Sequence, residues 1–546
     1  MATGPARNRS LLLPAIAVFG LVNGVLYCFL LPLWEGFDEP FHYGYVQTLA
    51  VRRELPALGK TPVSEEVLRS LELAPASHVV RRNLPFVTTF GEFAALPEPA
   101  RRQRREELRN LPVRWREVEA QGPLNYEAQQ AALAYLPLAA ADHLWRRDPL
   151  LARVLKVRLT GALAACLLQF GLTLALAREL GLSAAMRCVA LFLIFSSQMF
   201  YAATAHVAND WLAIPLTTLV VIAALKFFRT PGWRAGALLS SAVAAGLLTK
   251  AYFLPWALFA GGLVVWLTLT RRATLVAAGA VAIPVAGLAN PWYLRNLLLY
   301  GSLSGMQQSV AGIGPAQALG AALDLPWPQA LLVSARGAVW TGNGSFTSFS
   351  STTVGATLCL ALAGASAWWW SSRKAPDWRA EWLVAIGCLC FFAAMLYANA
   401  LFYAFTKGGI YTATPWYAQT LAAPLACLLS LGFGRAGIAG RLIGSGLCLM
   451  SAYLIGATYV AKLIPMYGGY GEGNMKAARL LRWYWQDSSR WREVLADTAL
   501  GDAGFILALT AIVALMSAGI CAALCLSLFR REGMHELGPP CGDTSA

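Results

Sequence analysis

Twelve long apolar runs, parted by short polar stretches, dictate most of what this chain can become. They lie near 11–33, 159–177, 188–205, 211–225, 235–249, 251–270, 273–290, 353–371, 382–404, 416–433, 442–461 and 503–528. As a helix, a run of roughly 20 apolar residues crosses the hydrocarbon core of a bilayer. Backbone polar groups in that core must be satisfied within the segment, so helices are the expected form. Of 546 residues, 57% are hydrophobic and 13% charged, which excludes a disordered chain, a fibre and a disulfide scaffold. The expected fold is an all-α polytopic membrane protein of about 12 transmembrane helices with a long first extracytoplasmic loop.

The expected layout is a first transmembrane helix in 1–33, an extracytoplasmic loop with juxtamembrane helices over 34–151, and a bundle with outer loops over 152–461. An outer loop over 462–502 follows, then a last helix and cytoplasmic tail over 503–546. The stretch 34–151 holds 15 basic and 16 acidic residues, so it does not lie in lipid. With the N-terminus (Arg7, Arg9) inside, every short inside loop carries at least two basic residues: Arg178 and Arg187, Lys226 with Arg229 and Arg234, Arg271 and Arg272, Arg373 with Lys374 and Arg379, Arg435 and Arg441, then Arg530 and Arg531. That asymmetry sets the orientation. It requires the apolar stretch from Ala235 to Thr270 to be a tight hairpin of two short helices with Lys250 at its outer tip. The net charge of +15, from 44 Lys+Arg against 29 Asp+Glu, reflects these inside loops and not a nucleic-acid partner. Ten of the 11 Cys sit in apolar runs, read as small buried hydrophobes. The Arg- and Glu-dense segment 91–120 reads as an amphipathic helix on the membrane surface, and the tail 532–546 as a frayed terminus.

The alternation puts the unusual polar residues on the outer side. Asp38-Glu39 follows helix one, and reads either as a solvated loop start or as a carboxylate facing a wet cavity, able to take a proton from a hydroxyl. Asn209-Asp210 sits where the chain re-enters the membrane, and reads as a helix N-cap or as a second functional carboxylate. Lys250 and Arg295 run against the inside bias. They either snorkel to headgroups or bind a phosphate, Arg as a bidentate fork and Lys as a point charge. Trp292, Tyr293, Trp416 and Tyr417 fit an interfacial belt or a stacking surface for a sugar. His42 and His206 are near the acidic groups in this layout, yet the five His form no metal-binding spacing, and no nucleotide-binding loop is present. No metal site is assigned; a divalent cation is left open as a cofactor.

In that order and on that side, the motifs resemble the GT-C membrane glycosyltransferases, in the branch that includes protein O-mannosyltransferases and the aminoarabinose transferase of lipid A. Asp38-Glu39 after helix one is similar to that family's opening motif. Asn125-Tyr126-Glu127-Ala128-Gln129 through Leu133-Ala134-Tyr135 resembles its segment before helix two, with Ala131-Ala132 where the family has Pro-Pro. Ala208-Asn209-Asp210-Trp211, Leu247-Leu248-Thr249-Lys250, and Pro291-Trp292-Tyr293-Leu294-Arg295-Asn296 with Tyr300-Gly301 resemble three further segments. Trp416-Tyr417 stands where relatives show Arg-Tyr. The resemblance spans most of 30–435. It implies transfer, with inversion, of a sugar from a polyprenyl phosphate to an acceptor hydroxyl on the extracytoplasmic face of the plasma membrane. By position it implies Asp38 as base, Glu39 as its neighbour in the acceptor site, Asp210 as a second acidic group near the acceptor, and Lys250 and Arg295 on the lipid phosphate. Tyr293, His42, Tyr126 and Glu127 are expected to line the substrate. The expected partners are the polyprenyl-linked sugar, a lipid, glycan or protein acceptor, and membrane lipids.

The residue types suit that chemistry. A departing phosphate monoester, with a second pKa near ~6, leaves readily when fixed cations meet its growing charge. A hydroxyl nucleophile needs a base, worth about 10²–10⁴-fold. Three other classes compete: a membrane transporter or lipid flippase, an inactive relative acting as a partner, and a ligase or polymerase of surface polysaccharide. The transporter predicts charged or broken helices at mid-membrane.

Overall fold

A computed structural model describes residues 11–412, 415–471 and 476–529. Among these, ten helices are long and apolar enough to cross a membrane, or up to 11 if a bent pair counts as one span. They are Leu12–Leu30, Leu150–Glu179, Asp210–Arg229, Ala251–Leu269, Leu275–Tyr300, Ser351–Ser372, Trp378–Phe405, Trp416–Arg435, Gly437–Tyr467 and Ala503–Phe529, with Ala184–Ser196 and Gln198–Thr204 as the pair, bent by 56°. The chain is a multi-pass membrane protein. All twelve apolar runs are helical, and two have physical reasons to fall short of a plain span. Ser197 breaks the run 188–205, since its extended backbone (φ −67°, ψ 106°) ends one helix and starts the next. The run 235–249 becomes Trp233–Leu247, of 15 residues, because the chain turns at Leu248–Lys250 to form the expected hairpin. Arg7, Arg9, Arg530, Arg531 and the tail 532–546 lie outside the described residues.

The stretch after helix one folds into short helices, among them Glu39–Gln47, Glu65–Leu73 and Glu98–Arg109. Pro62–Ser64 and Glu119–Leu124 form an antiparallel ladder. Local chemistry sets the helix starts: the Ser64 hydroxyl accepts from the Val67 N–H at 3.2 Å, and Thr89 with Glu92 forms a capping box. Two arginines of the 91–120 segment turn inward, while Arg102 and Arg109 stay exposed. Arg101 and Arg105 are buried against the helix Ser488–Thr498, Arg101 Nε donating to Asp497 at 3.1 Å and Arg105 Nη2 to the Ala499 carbonyl at 2.6 Å. A partner nearly 400 residues away captures them, and local amphipathicity cannot reveal that.

Buried ion pairs, together with a shared apolar core, join this layer to the bundle. The 30-residue helix Leu150–Glu179 carries Arg153 and Arg158, both fully buried. Arg153 pairs with Glu66 and, at 3.3 Å, with Asp142. Asp142 also takes the Tyr43 hydroxyl at 2.7 Å and Arg116. Buried charges persist only when paired and hydrogen-bonded, and here each carboxylate has at least two donors. The hairpin Thr341–Gly342 with Thr347–Ser348 is pinned to the exit of helix one: Gly344 N–H donates to the Glu35 carbonyl at 2.7 Å and Ser345 N–H to Glu35 Oε1 at 3.0 Å.

Candidate active site

From Leu31 to Thr48 every residue is buried but one, and the exception is Asp38. It precedes the helix Glu39–Gln47 with φ 53° and ψ 20°, a left-handed conformation. Asp and Asn tolerate this region better than other residues with side chains. Its carbonyl accepts from the Phe41 and His42 N–H groups at 3.0 and 3.1 Å, which fixes the turn. Its carboxylate accepts from the Tyr126 hydroxyl at 2.5 Å. The side chain is reached by solvent yet crowded by protein. That crowding pushes its carboxyl above the usual range, while the Tyr126 hydrogen bond and Lys250 pull it down and Asp210 pushes it up. A carboxylate with a raised pKa is a stronger base than a free one.

Glu39, next in sequence, faces elsewhere. Arg158 holds it in a fork, Nε to Oε1 at 2.7 Å and Nη2 to Oε2 at 2.5 Å, and the Val207 N–H adds a third bond at 2.9 Å. The remaining Arg158 donors go to backbone carbonyls, Leu31 and Pro32 each at 2.7 Å and Cys28 at 3.5 Å. Burial opposes the charge, but Arg158 outweighs it and holds the carboxyl below its usual range. The expectation of Glu39 lining an acceptor site needs correction: both its oxygens are occupied, and it locks the first turn after Asp38 to helix Leu150–Glu179. A helical turn separates neighbours in sequence by about 100°, so adjacent carboxylates seldom share a face.

Lys250 and Asp210 are brought together, as a buried pair with Nζ 2.8 Å from each carboxylate oxygen. Tyr252 donates to Asp210 at 3.2 Å, and the ammonium lies 4.7 Å from the Tyr417 ring centroid. Asp210 is the first residue of its helix, where a negative charge is favoured. His42 lies beside Glu127, Nδ1 to Oε2 at 3.6 Å, and bonds the Tyr135 hydroxyl at 2.6 Å. Burial holds the His42 imidazole well below the usual range, Lys250 and His206 adding to the effect. Burial and then the Asp38 charge push Glu127 up to about 8. His206 is buried, its ring edge-on to Phe37 at 5.8 Å, and neither ring nitrogen has a hydrogen-bond partner among the described residues. Trp416 stacks flat on Phe37 with centroids 3.9 Å apart.

Arg295 is not in direct contact with this group. Nη2 donates to the Pro56 carbonyl at 3.1 Å and the guanidinium lies 5.1 Å from the Trp292 ring, while Nη1 is buried without a partner among the described residues. Its charge is felt at Tyr45, whose ring stacks on Tyr135 at 4.1 Å. Tyr293 is half-buried against the core of the bundle. Among the described residues no group of three His, Cys, Asp or Glu is placed to hold a metal ion.

No family model matches the chain, and no curated protein matches it. Among solved structures it is similar to "Crystal Structure of ArnT from Cupriavidus metallidurans bound to Undecaprenyl phosphate", at 14% identity and a TM-score of 0.47, over 96% of this chain and 77% of that one.

Proposed function

We propose that the chain is a GT-C-type membrane glycosyltransferase that moves a sugar from a polyprenyl phosphate to an acceptor hydroxyl, on the extracytoplasmic face and with inversion. The observation that carries this reading is the solitary exposure of Asp38 in an otherwise buried run, with a buried Lys–Asp pair near enough to shift its titration. Asp38 takes the acceptor proton as the hydroxyl attacks the sugar carbon. The bond to the phosphate oxygen breaks, and the phosphate leaves with the electron pair. Tyr126 aims the carboxylate, and Glu39 holds its turn through Arg158.

The two cations divide their work unequally. Lys250 is already matched by Asp210, which leaves one of its three N–H donors for a phosphate. Arg295 has a buried Nη1 with no acceptor, and an unsatisfied buried donor costs about 1–3 kcal/mol until an acceptor arrives. A phosphate oxygen supplies one, so Arg295 is the main anchor of the donor phosphate. His42, Glu127 and Tyr293 then border the acceptor or sugar. The test is mass spectrometry of envelope glycans and glycolipids from cells with and without the protein. A single sugar missing from one acceptor in its absence is expected. Unchanged glycans, with a lipid or solute now mislocated, would replace the transferase by a transporter or flippase.

A further inference from the structure

A groove of about 960 Å³ runs between the helices Ala251–Leu269 and Trp378–Phe405. One wall is Phe259, Leu263 and Trp266, the other Trp382, Ile386 and Cys390. Its floor stays open at Gly262, where an added Cβ meets nothing within 4 Å. One end is closed by Arg272 and Arg379. Arg272 is held there by the Phe228 carbonyl, 3.1 Å from Nη2, and by the Phe228 and Trp266 rings.

That end is far from Asp38. Phe228 lies at the far end of the helix that begins at Asp210, and 20 residues at ~1.5 Å each span about 30 Å. It is also a region of excess positive charge. Arg271, Arg272, Arg373, Lys374 and Arg379 have no carboxylate within ion-pair distance among the described residues. The nearby carboxylates are taken, Asp377 by Arg229 and Glu381 by Arg435. Bulk lipid tails fill any apolar groove, but a pair of unneutralised arginines at one mouth selects a headgroup.

We propose that this groove binds an anionic diacyl phospholipid of the leaflet opposite Asp38, with an acyl chain between the two helices and its phosphate on Arg272 and Arg379. The guanidinium fork suits phosphate oxygens, tryptophans at the mouth mark the headgroup level, and basic pockets between transmembrane helices take anionic headgroups. The headgroup end separates this lipid from a polyprenyl-phosphate donor, whose phosphate belongs at the opposite end of the same helices.

The test uses the full-length protein in detergent, with palmitoyl-oleoyl phosphatidylglycerol or the matching phosphatidylcholine added and retention read by native mass spectrometry. Wild-type protein is expected to keep phosphatidylglycerol in preference. Arg379→Ala, at an exposed and unpaired position, should lower that retention about fivefold. Gly262→Leu fills the groove on a helix that tolerates Leu better than Gly, and should lower it at least as far. Undecaprenyl phosphate should leave the phosphatidylglycerol in place. Equal retention of the two phospholipids, or no change in both variants, would overturn the proposal. Displacement by undecaprenyl phosphate would assign the groove to the donor's tail.

Discussion

Asp38 and Glu39 are chemically near-identical neighbours whose surroundings assign them opposite jobs, so Asp38→Asn and Glu39→Gln should fail in opposite ways. In Asp38→Asn the exposed side chain keeps its shape and can still accept from Tyr126, so stability should change by less than about 1 kcal/mol. Loss of the base should cut turnover by about 10²–10⁴-fold, a barrier increase of roughly 3–5 kcal/mol. In Glu39→Gln the fully buried Arg158 loses its counter-charge. Three carbonyls and an amide oxygen remain as acceptors, but removing one member of a buried ion pair costs about 3–5 kcal/mol. Thermal unfolding by tryptophan fluorescence, together with transfer from a polyprenyl-phosphate sugar in vesicles, measures both effects. The Glu39 carboxyl sits below its ordinary 4.5 in the folded chain. The pair therefore stabilises fully above that pH and is lost as pH falls through the lower, folded value. Wild-type turnover in Asp38→Asn removes the base assignment. An unchanged unfolding midpoint in Glu39→Gln removes the claim that the Arg158 fork holds the site.

Tyr126→Phe deletes a hydrogen bond that lowers the Asp38 pKa, so the acidic limb of the rate profile should move to higher pH. An unmoved limb would uncouple that limb from Asp38. Arg295→Ala should weaken donor binding more than acceptor binding, read as separate KM values; equal effects count against a phosphate role. Gly36→Ala would place a Cβ 2.5 Å from the His206 Cβ. It should displace the turn before Asp38 and lower both yield and turnover, whereas wild-type behaviour would mean that this contact is loose.

The helical spans were legible because the hydrocarbon core imposes a length of apolar run that sequence records directly. Basic loop residues announced the hairpin at Lys250 even though no turn residue marks it. The clustering of Asp38, Tyr126, Glu127, Asp210 and Lys250 followed from motif order. The partners that hold them did not. Arg153 and Arg158 stand at the start of an apolar helix, where they look like ordinary flanking charges. Their carboxylates, Glu66, Asp142 and Glu39, are scattered over a hundred residues of loop. Pairing over such separations leaves no local pattern, and so Glu39 looked interchangeable with Asp38. The Lys250–Asp210 pair was hidden for the same reason.

The left-handed backbone at position 38 decides which replacements are informative there. Alanine or glutamate would carry about 1–2 kcal/mol of conformational cost into the very turn that aims the side chain, mixing a displaced loop with a missing proton acceptor. Asparagine shares the native residue's ease in that region, and glycine accepts it freely. A scan by alanine would thus score this position as important for two unrelated reasons at once, whereas the amide replacement changes only the charge.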